Sequence, residues 1–552
     1  MVKWGRNTLG AERIEFETKT KALEVLRLDN HDGKNDELIR DLNSEINAHL
    51  HKEEIHWRQR SRVVWIQAGD KNTKYFHFRA TQRQRKNRIH GLFDSNNIWQ
   101  EEASSVAHTT EQYFKDIFST SHPPQIDHTI DSMEAVVTQE HNSTLLLKFK
   151  AEEVCKAVFQ MPPSKSPSPG GMSCFFFQKF WHIIGDLVVK AMLSFLNSGH
   201  MLKKINYTHI ALIPKIKKPQ WVSDFRPISL CNVIYKIISK VLVNRLQRIL
   251  PQIISDSQSA FLPSHLITDN VVVAYELMHT MRSKWKGKVG YLAMKLDMSK
   301  TYDRVEWAFL KAAMLKMGFA QRWVDLVMEC VSTPTYSILI NGVPQGYIHP
   351  SRGVRQGDPF SPFIFLICAE GLSSLIRKAE LASLIHGISA SRYGPKISHL
   401  FFADNRLLLS RALVTEVQHI SSILEAYEQA SGQKINKTKT SLYFSPNTPA
   451  TTRTEICSIL GVPAHAPNEK YLGLPIMIGK SKTRTFNELR ERVTKKLVGW
   501  KEKTLPNARR EILIKVVAQA IPSYTMSCFK LPRLWCTDIQ AHIGRFCGGG
   551  RG

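Results

Sequence analysis

The segment that most constrains the fold is HLFFADNRLLLS, residues 399–410, in which two apolar runs flank the sequence Ala-Asp-Asn. Apolar runs joined by good turn-forming residues predict a buried β-hairpin with Asp404 at its turn. A second apolar run, YLAMKL, predicts a strand that ends directly before Asp297. If these strands are neighbours in one sheet, the two carboxylates lie at the same sheet edge.

Two carboxylates held together beside apolar strands repel each other and are costly to ionise unless a cation neutralises them. Mg²⁺ suits such a position because a few carboxylates bind it together with substrate phosphates. Two such ions about 4 Å apart activate an attacking 3′-hydroxyl and stabilise a leaving pyrophosphate. For each residue alone a simpler interpretation stays open: Asp297 caps a helix, and Asp404 with Asn405 forms an ordinary turn.

Lys and Arg outnumber Asp and Glu by 75 to 48, a formal net charge of +27. A surplus of this size indicates a polyanionic partner, nucleic acid before an anionic membrane. The nine cysteines are scattered without a Cys-x-x-Cys pair, which argues against a disulfide framework and a zinc site. With no signal peptide and no apolar run of membrane length, we expect a protein of the nucleus or cytoplasm, without a membrane or disulfide partner.

The segment RQRSRVVWIQAGDKNTKYFHFRATQRQRKNR, residues 58–88, interleaves cations with Trp65 and three further aromatic residues. Cations suit phosphates and flat rings suit bases, so the segment predicts a nucleic-acid-binding surface. A solvated basic helix is the equally weighted alternative. The basic residues at the end of the segment are Arg83, Arg85, Lys86 and Arg88.

The order of predicted elements indicates an α+β fold with a mixed, mostly antiparallel sheet and helices on one face. THIALIPK predicts a strand, and the run from Val233 predicts a helix closed by Pro251. SKTYDRVEWAFLKAAMLKMG predicts a helix with an apolar stripe that includes Tyr302. Asn341-Gly342 predicts a tight hairpin turn, and Pro362 lies in the first turn of a further helix.

Three segments resemble the central motifs of reverse transcriptases, namely LDMSKTYDRVEW, RGVRQGDPFSPFIF and FFADN. Three further segments narrow the resemblance to LINE-type, non-LTR retrotransposon polymerases of the form common in plants. They are FRPISLCNVIYKIISKVLVNRL, SGQKINKTKTSLYF and KYLGLPI. The resemblance covers residues 58 to 532. It implies an α+β right-hand polymerase with fingers, palm and thumb, a mostly antiparallel palm sheet and a helical, basic N-terminal extension. We place the extension at 1–150, the fingers and the start of the palm at 151–290, the palm at 291–480, and the thumb or connection at 481–552.

The resemblance also implies roles for individual residues in a reaction that uses an RNA template, a DNA primer, deoxynucleoside triphosphates and Mg²⁺, with Mn²⁺ as the alternative ion. Asp297 and Asp404 match the ligands of two ions, and Tyr302 matches the aromatic residue that rejects a ribose 2′-hydroxyl, although it also suits a core. The remaining matches are Gln356 and Gly357 beside the incoming nucleotide and template, Arg226 and either Lys437 or Lys439 at the triphosphate, and Tyr471, Leu472 and Gly473 as the primer grip. A surface ion pair is the equally weighted interpretation of Arg226.

The family's turn normally reads Ala-Asp-Asp, whereas this chain has Asn405 at the second acid. The amide keeps the shape and the turn but removes a negative charge, so we expect weakened metal binding and strongly reduced polymerisation. Gly171 stands where the family loop usually has Asp, and Arg509 or Arg510 stands near a usual Gly. We therefore expect a partly degenerate copy that is also truncated, without the endonuclease and downstream modules of a full element.

Three functions follow from these features. The first is a reverse transcriptase with activity impaired by Asn405. The second is a catalytically inactive nucleic-acid-binding remnant of such an element. The third, which the motifs favour less, is a splicing maturase of the related intron-encoded type.

Overall fold

The computed structural model describes residues 2–30, 33–61, 73–167, 169–463, 470–479, 481–501 and 511–547. The charged N-terminal segment is helical, as its sequence predicts, whereas Trp65 lies outside the described residues. Its helices are α1 (Val2–Leu28), α2 (Asp36–Ser61) and α3 (Thr73–Asn87). In the part of the chain that the structure describes, no helix is long and apolar enough to span a membrane.

The next part of the chain, up to residue 283, consists mainly of helices, with two pairs of strands. They are β1 (Leu92–Phe93), β2 (Trp99–Gln100), α4 (Ala103–Phe118), α5 (Asp127–Ile130), α6 (Gln139–Leu146), α7 (Ala151–Gln160), α8 (Cys174–Lys179), α9 (Trp181–Ser198), α10 (Lys203–Asn206), β3 (Tyr207–Pro214), β4 (Phe225–Leu230), α11 (Val233–Leu246), α12 (Leu250–Ile253) and α13 (Ile267–Ser283). The predicted helix from Val233 ends at Leu246, and Pro251 lies in the first turn of α12 instead of closing α11.

The motif-bearing part of the chain follows. Its elements are β5 (Tyr291–Leu296), β6 (Met298–Ser299), α14 (Trp307–Lys316), α15 (Gln321–Ser332), β7 (Thr335–Ile340), β8 (Val343–Ile348), α16 (Ser361–Leu381), β9 (His399–Phe402), β10 (Asn405–Arg411), α17 (Val414–Ser431), β11 (Lys434–Ile435), β12 (Ser441–Phe444), α18 (Ala450–Leu460), β13 (Lys470–Tyr471) and β14 (Leu474–Pro475). The C-terminal elements are α19 (Lys482–Thr485), α20 (Asn487–Lys501), a π-helix (Ile514–Ala518), α21 (Ala520–Cys528) and α22 (Arg533–Cys547).

Two four-stranded sheets organise the fold, where the sequence predicted one. The first sheet has the order β4-β3-β7-β8, with β3 and β7 parallel and the outer pairs antiparallel. Alternate residues such as Ile210 and Ile338 are buried against Phe114 of α4, so one face of this sheet carries a small core. The predicted Asn341-Gly342 turn joins β7 to β8, and both residues have positive φ, as a tight hairpin requires.

The second sheet, with the order β12-β5-β10-β9, is antiparallel throughout and carries both acidic motifs. Met294 and Leu408 point to the main core with α16 and α17, whereas Ala293 and Leu407 pack with α13. Helices therefore cover both faces of this sheet, and the expectation of helices on one face was wrong. The reason is visible in YLAMKL, whose apolar residues do not alternate with polar ones.

The helix predicted from Ser299 begins only at Trp307. Residues 300–306 form turns instead, because the neighbouring loop pairs with their backbone: Val354 N–H donates to the Tyr302 carbonyl, and Gly353 N–H donates to the Val305 carbonyl, each at 2.8 Å. Tyr302 therefore belongs to a turn beside the sheet edge and not to the predicted helical stripe.

Candidate active site

Asp297 and Asp404 lie at the same end of neighbouring strands. β5 pairs antiparallel with β10, and the last pair in the register is Leu296 with Arg406. Asp297 follows Leu296 directly, and Asp404 precedes β10 by one residue. The two carboxylates interact electrostatically, since Asp404 helps to raise the pKa of Asp297. Residues 107 positions apart in the sequence thus meet at one sheet edge.

The turn that carries Asp404 is formed by Ala403 and Asp404, so Asn405 is the first residue of β10 and not a turn residue as the sequence suggested. Ala403 has a φ of +53°, which costs energy for a residue with a Cβ. Gln258, which is 2% exposed, stabilises this conformation because its Oε1 accepts the N–H groups of Ala403 at 3.1 Å and Ala260 at 3.0 Å. Sequence reasoning missed Gln258, because nothing local connects it to the turn.

The environment of Asp297 explains its proton affinity. Burial raises the pKa of Asp297, Asp404 raises it further, and the Lys439 ammonium opposes both effects. The structure separates the two candidate lysines, because the Lys437 ammonium lies beside Gly461 at the end of α18. A loop also fixes Asp297 in place: Asn436 N–H donates to its carbonyl at 2.8 Å.

The residues at this edge provide a limited set of metal ligands. Among the described residues, no group of three or more His, Cys, Asp or Glu side chains could hold a metal ion. The Asn405 Nδ2 donates to Asp404 Oδ1 at 3.2 Å, so the amide occupies a carboxylate lone pair. Two carboxylates fit one divalent ion whose other ligands are substrate phosphates. The third acidic ligand that would favour a second ion is absent from this described site.

Tyr302 borders a cavity of about 370 Å³ that Gln356 and Gly357 also line. Its ring lies 5.3 Å from that of Phe365, and burial together with Asp404 raises the pKa of Tyr302 to about 12. Gly357 has a φ of +110°, and a Cβ there would lie 3.2 Å from the Ser229 carbonyl oxygen. The backbone conformation therefore favours glycine at this position, and a Cβ would also require a small shift of the neighbouring backbone.

A buried ion pair brackets Gln356 and Gly357. Arg355 and Asp358 lie 3.2 Å apart, and both are less than 5% exposed. Tyr235 and Ser239 each donate a hydroxyl hydrogen bond of 2.6 Å to Asp358. Because both charges are fully hydrogen-bonded, the loop has a rigid base.

Arg226 is exposed on β4 and takes part in a cluster of charges that the sequence analysis missed. Burial, Lys439 and Arg226 all lower the pKa of Lys215, so these three cations lie near one another. Burial and Lys215 lower the pKa of Lys300 to about 8, and the Lys300 ammonium has no hydrogen-bond acceptor in the described part of the chain. Burial raises the pKa of Asp303 to about 6 against the effect of Lys300. The sequence contained one signal for this cluster, because Lys300 lies only three residues after Asp297.

The remaining predicted residues belong to the β13–β14 hairpin and to the end of α3. Leu472 and Gly473 form the turn of the β13–β14 hairpin, both with positive φ. Tyr471 is buried among side chains of the second sheet, and the Tyr524 hydroxyl donates to the Leu472 carbonyl at 3.0 Å. The exposed cations Arg83, Arg85, Lys86 and Arg88 lie at and just after the end of α3.

Comparisons with known proteins agree with this geometry. The family model described as "Reverse transcriptase (RNA-dependent DNA polymerase)" matches residues 216–476, a range that contains both carboxylates. Residues 216–476 of this chain therefore form a reverse transcriptase domain. The match begins one residue after Lys215 and ends one residue after β14, the strand that pairs with the strand of Tyr471.

The relatives identify the type of reverse transcriptase. A protein of the transposon TX1 of Xenopus laevis is 24% identical over 500 residues, 88% of this chain and 36% of the relative. The Pol polyprotein of the retrotransposable element R2DM of Drosophila melanogaster is 23% identical over 300 residues, 54% of this chain and 26% of the polyprotein. An uncharacterized mitochondrial protein of Arabidopsis thaliana is 39% identical over 115 residues, 20% of this chain and 90% of that protein. The chain contains a reverse transcriptase domain of a non-LTR retrotransposon, and it spans about a third of the TX1 protein and a quarter of the R2DM polyprotein.

Proposed function

We infer that this chain is the RNA-directed DNA polymerase module of its element, with turnover impaired by Asn405. The observation that carries this inference is the pairing of β5 with β10, which brings Asp297 and Asp404 to one sheet edge. In this proposal residues 291–480, which contain all four strands of the second sheet, are the palm, residues 151–290 are the fingers and the start of the palm, and residues 481–552 are the thumb or connection. Residues 1–150 form the basic extension, and the protein acts in the nucleus or cytoplasm.

The substrates are an RNA template, a DNA primer and deoxynucleoside triphosphates. Asp297 and Asp404 would hold Mg²⁺, or Mn²⁺ in its place, and the ion would supply charge stabilisation for nucleotidyl transfer. Tyr302 excludes a ribose 2′-hydroxyl, while Gln356 and Gly357 contact the incoming nucleotide and the template. Arg226 binds the triphosphate, as does Lys439 in preference to Lys437, since Lys439 lowers the pKa of Asp297 whereas the Lys437 ammonium lies beside Gly461. The hairpin at Tyr471, Leu472 and Gly473 positions the primer end.

The charges beside Arg226 support this assignment of the triphosphate position. Lys215 and Lys300 repel each other across a partly buried space, and an anionic ligand would relieve that repulsion. A guanidinium suits phosphate oxygens because its fork of N–H donors matches their geometry.

The experiment that tests the function is primer extension on an RNA template. We expect Asn405→Asp to increase the extension rate by at least about tenfold, because the restored carboxylate adds a negative charge where cations must bind. Asp297→Asn in the same background is the matched control and abolishes the gain. If Asn405→Asp produces no gain, the loss of activity does not arise from this position alone.

A second candidate function is a nucleic-acid-binding remnant without turnover. The specific observation in its favour is the hydrogen bond from the Asn405 amide to Asp404, which opposes ion binding at this carboxylate. Binding of an RNA–DNA hybrid with the same affinity in the original chain and in Asn405→Asp, together with no extension by either, would select this second function.

A further inference from the structure

The C-terminal end of α4 is hydrogen-bonded to the loop that follows β8, although α4 lies outside residues 216–476, the reverse transcriptase domain. The Phe118 carbonyl accepts the N–H groups of Ser351 at 2.8 Å and of Arg352 at 3.1 Å. The Ile117 carbonyl accepts a further hydrogen bond from Arg352 Nε at 2.7 Å. The end of this helix therefore fixes the position of the loop.

The same helix end also contacts Glu306, whose side chain is 1% exposed. The Glu306 carboxylate accepts hydrogen bonds from the Thr120 hydroxyl at 2.5 Å, the Ser121 hydroxyl at 2.9 Å and the Ser121 N–H at 3.0 Å. Arg352, which is also buried, forms an ion pair with Glu306 at 3.2 Å. A buried carboxylate needs several donors to offset its desolvation, so these hydroxyls stabilise the ion pair. We call this network the α4 clamp; it consists of Ile117, Phe118, Thr120, Ser121, Glu306 and Arg352.

The α4 clamp is connected to the backbone of Tyr302. In the loop that Phe118 holds, the Val354 N–H donates to the Tyr302 carbonyl and the Gly353 N–H donates to the Val305 carbonyl, each at 2.8 Å. The Trp307 indole N–H donates to the Gly353 carbonyl, also at 2.8 Å. The loop is thus bonded to α4 on one side and to the turn of Tyr302 on the other, so the position of this turn depends on the clamp.

We propose that the α4 clamp sets the sugar selectivity of the polymerase by fixing the position of Tyr302 relative to the incoming nucleotide. Its members are positioning residues, because they act through the backbone of Tyr302. Exclusion of a ribose 2′-hydroxyl depends on the space for one oxygen atom, and a displacement of about 0.5 Å is enough to disturb such a site. This inference rests on the proposed function, in which Tyr302 excludes that hydroxyl.

The test compares incorporation of a deoxynucleotide and of the matching ribonucleotide on an RNA template, with the whole chain in the Asn405→Asp background. The measured quantity is the ratio of the two kcat/KM values. A variant that is only less stable loses both activities together and keeps this ratio, whereas a displaced Tyr302 changes it. We expect Thr120→Val/Ser121→Ala to lower the ratio about tenfold, because Glu306 loses two donors. Hydrogen exchange of the Val354 amide should become faster in the same variant.

Three further variants complete the experiment. Thr120→Ser/Ser121→Thr retains both hydroxyls and should keep the ratio of the parent. Ser119→Ala is the matched control, because the exposed Ser119 hydroxyl donates to the Lys115 carbonyl at 2.7 Å and not to Glu306. Tyr302→Ala tests the residue through which the clamp acts, and it should lower the ratio at least as much as the double variant does.

The proposal is overturned if Thr120→Val/Ser121→Ala keeps the parent ratio or the parent exchange rate at Val354. It is also overturned if the variant that retains both hydroxyls loses as much selectivity. If Tyr302→Ala leaves the ratio unchanged, the role assigned to Tyr302 in the proposed function is wrong, and this inference fails with it. A lack of extension in the Asn405→Asp background would contradict the polymerase function itself and overturn this inference as well.

Discussion

Arg406 brings a positive charge into the core directly after Asn405. Its side chain is fully buried, and its Nε and Nη1 have no hydrogen-bond partner in the described part of the chain. Its Nη2 donates only weakly, to the Tyr427 hydroxyl at 3.4 Å and to Gln433 Oε1 at 3.2 Å. The rings of Phe365, Phe401 and Tyr427 lie 5.3 to 5.6 Å from the guanidinium. Among the residues that the structure describes, no carboxylate forms an ion pair with Arg406, so we expect the cost of desolvating the charge, on the order of several kcal/mol, to exceed the stabilisation from these rings.

We therefore expect Arg406→Met to increase the free energy of unfolding by about 1–3 kcal/mol, because an apolar chain of similar length replaces an unpaired buried charge. Denaturant unfolding measures the change. Arg85→Met, at an exposed position, is the control and should alter stability by less than about 0.5 kcal/mol. A decrease in stability on Arg406→Met would mean that the ring contacts outweigh the desolvation.

Gln258 acts on the candidate site through the turn of Ala403. We expect Gln258→Leu to speed hydrogen exchange of the Ala403 amide, since Leu provides no acceptor for that N–H. In the Asn405→Asp background it should also lower primer extension about tenfold or more. Gln258→Glu, which keeps an acceptor oxygen, should preserve slow exchange at this amide. Equal exchange in the Leu and Glu variants would contradict a positioning role.

At the scale of elements, the β9–β10 hairpin is anchored at its far end by His399. The ring is 7% exposed and interacts at 2.8 Å with the hydroxyls of Ser257, Ser373 and Ser398. Burial, with a smaller contribution from Arg377, lowers the pKa of His399 to about 3. The imidazole therefore stays neutral in the folded protein at pH values where it is charged in the unfolded chain.

This shift predicts acid sensitivity of the hairpin. Between pH 4 and 6 the unfolded chain binds a proton at His399 that the folded protein does not, so stability falls as pH decreases below the ordinary pKa of histidine, about 6.5. Asp303, with a pKa of about 6, has the opposite slope in this window. We expect the slope of unfolding free energy against pH to be smaller in His399→Gln by about 1.4 kcal/mol per pH unit. Identical slopes in the two proteins would show that His399 titrates normally.

At the scale of the whole molecule, the excess of 27 positive charges predicts salt-sensitive binding of nucleic acid. If Arg83, Arg85, Lys86 and Arg88 contact phosphates, replacing all four by Gln should reduce the slope of log affinity against log salt by up to about 3, at roughly 0.7 per phosphate for a single strand. Measurements of binding affinity between about 50 and about 200 mM salt test this expectation. An unchanged slope would make these residues an exposed basic helix end without a binding role.

The sequence by itself determined the elements that local pattern controls. YLAMKL forms the predicted strand and Asn341-Gly342 the predicted turn, because apolar runs and turn residues act over a few positions. The motifs were also sufficient to indicate the reverse transcriptase family. Local pattern failed at residues 299–306, where apolar spacing suggested a helix and long-range hydrogen bonds from residues 353 and 354 imposed turns.

Only the tertiary structure decided which distant residues meet. Nothing near Asp404 in the sequence indicates that Gln258 supports its turn, or that Lys439 lies near Asp297 while Lys437 lies beside Gly461. The unpaired burial of Arg406 is equally invisible in the sequence, because burial depends on how α16 and α17 cover the second sheet. Periodicity reports which face of an element is apolar, whereas charge partners are set by packing between elements that are far apart in the chain.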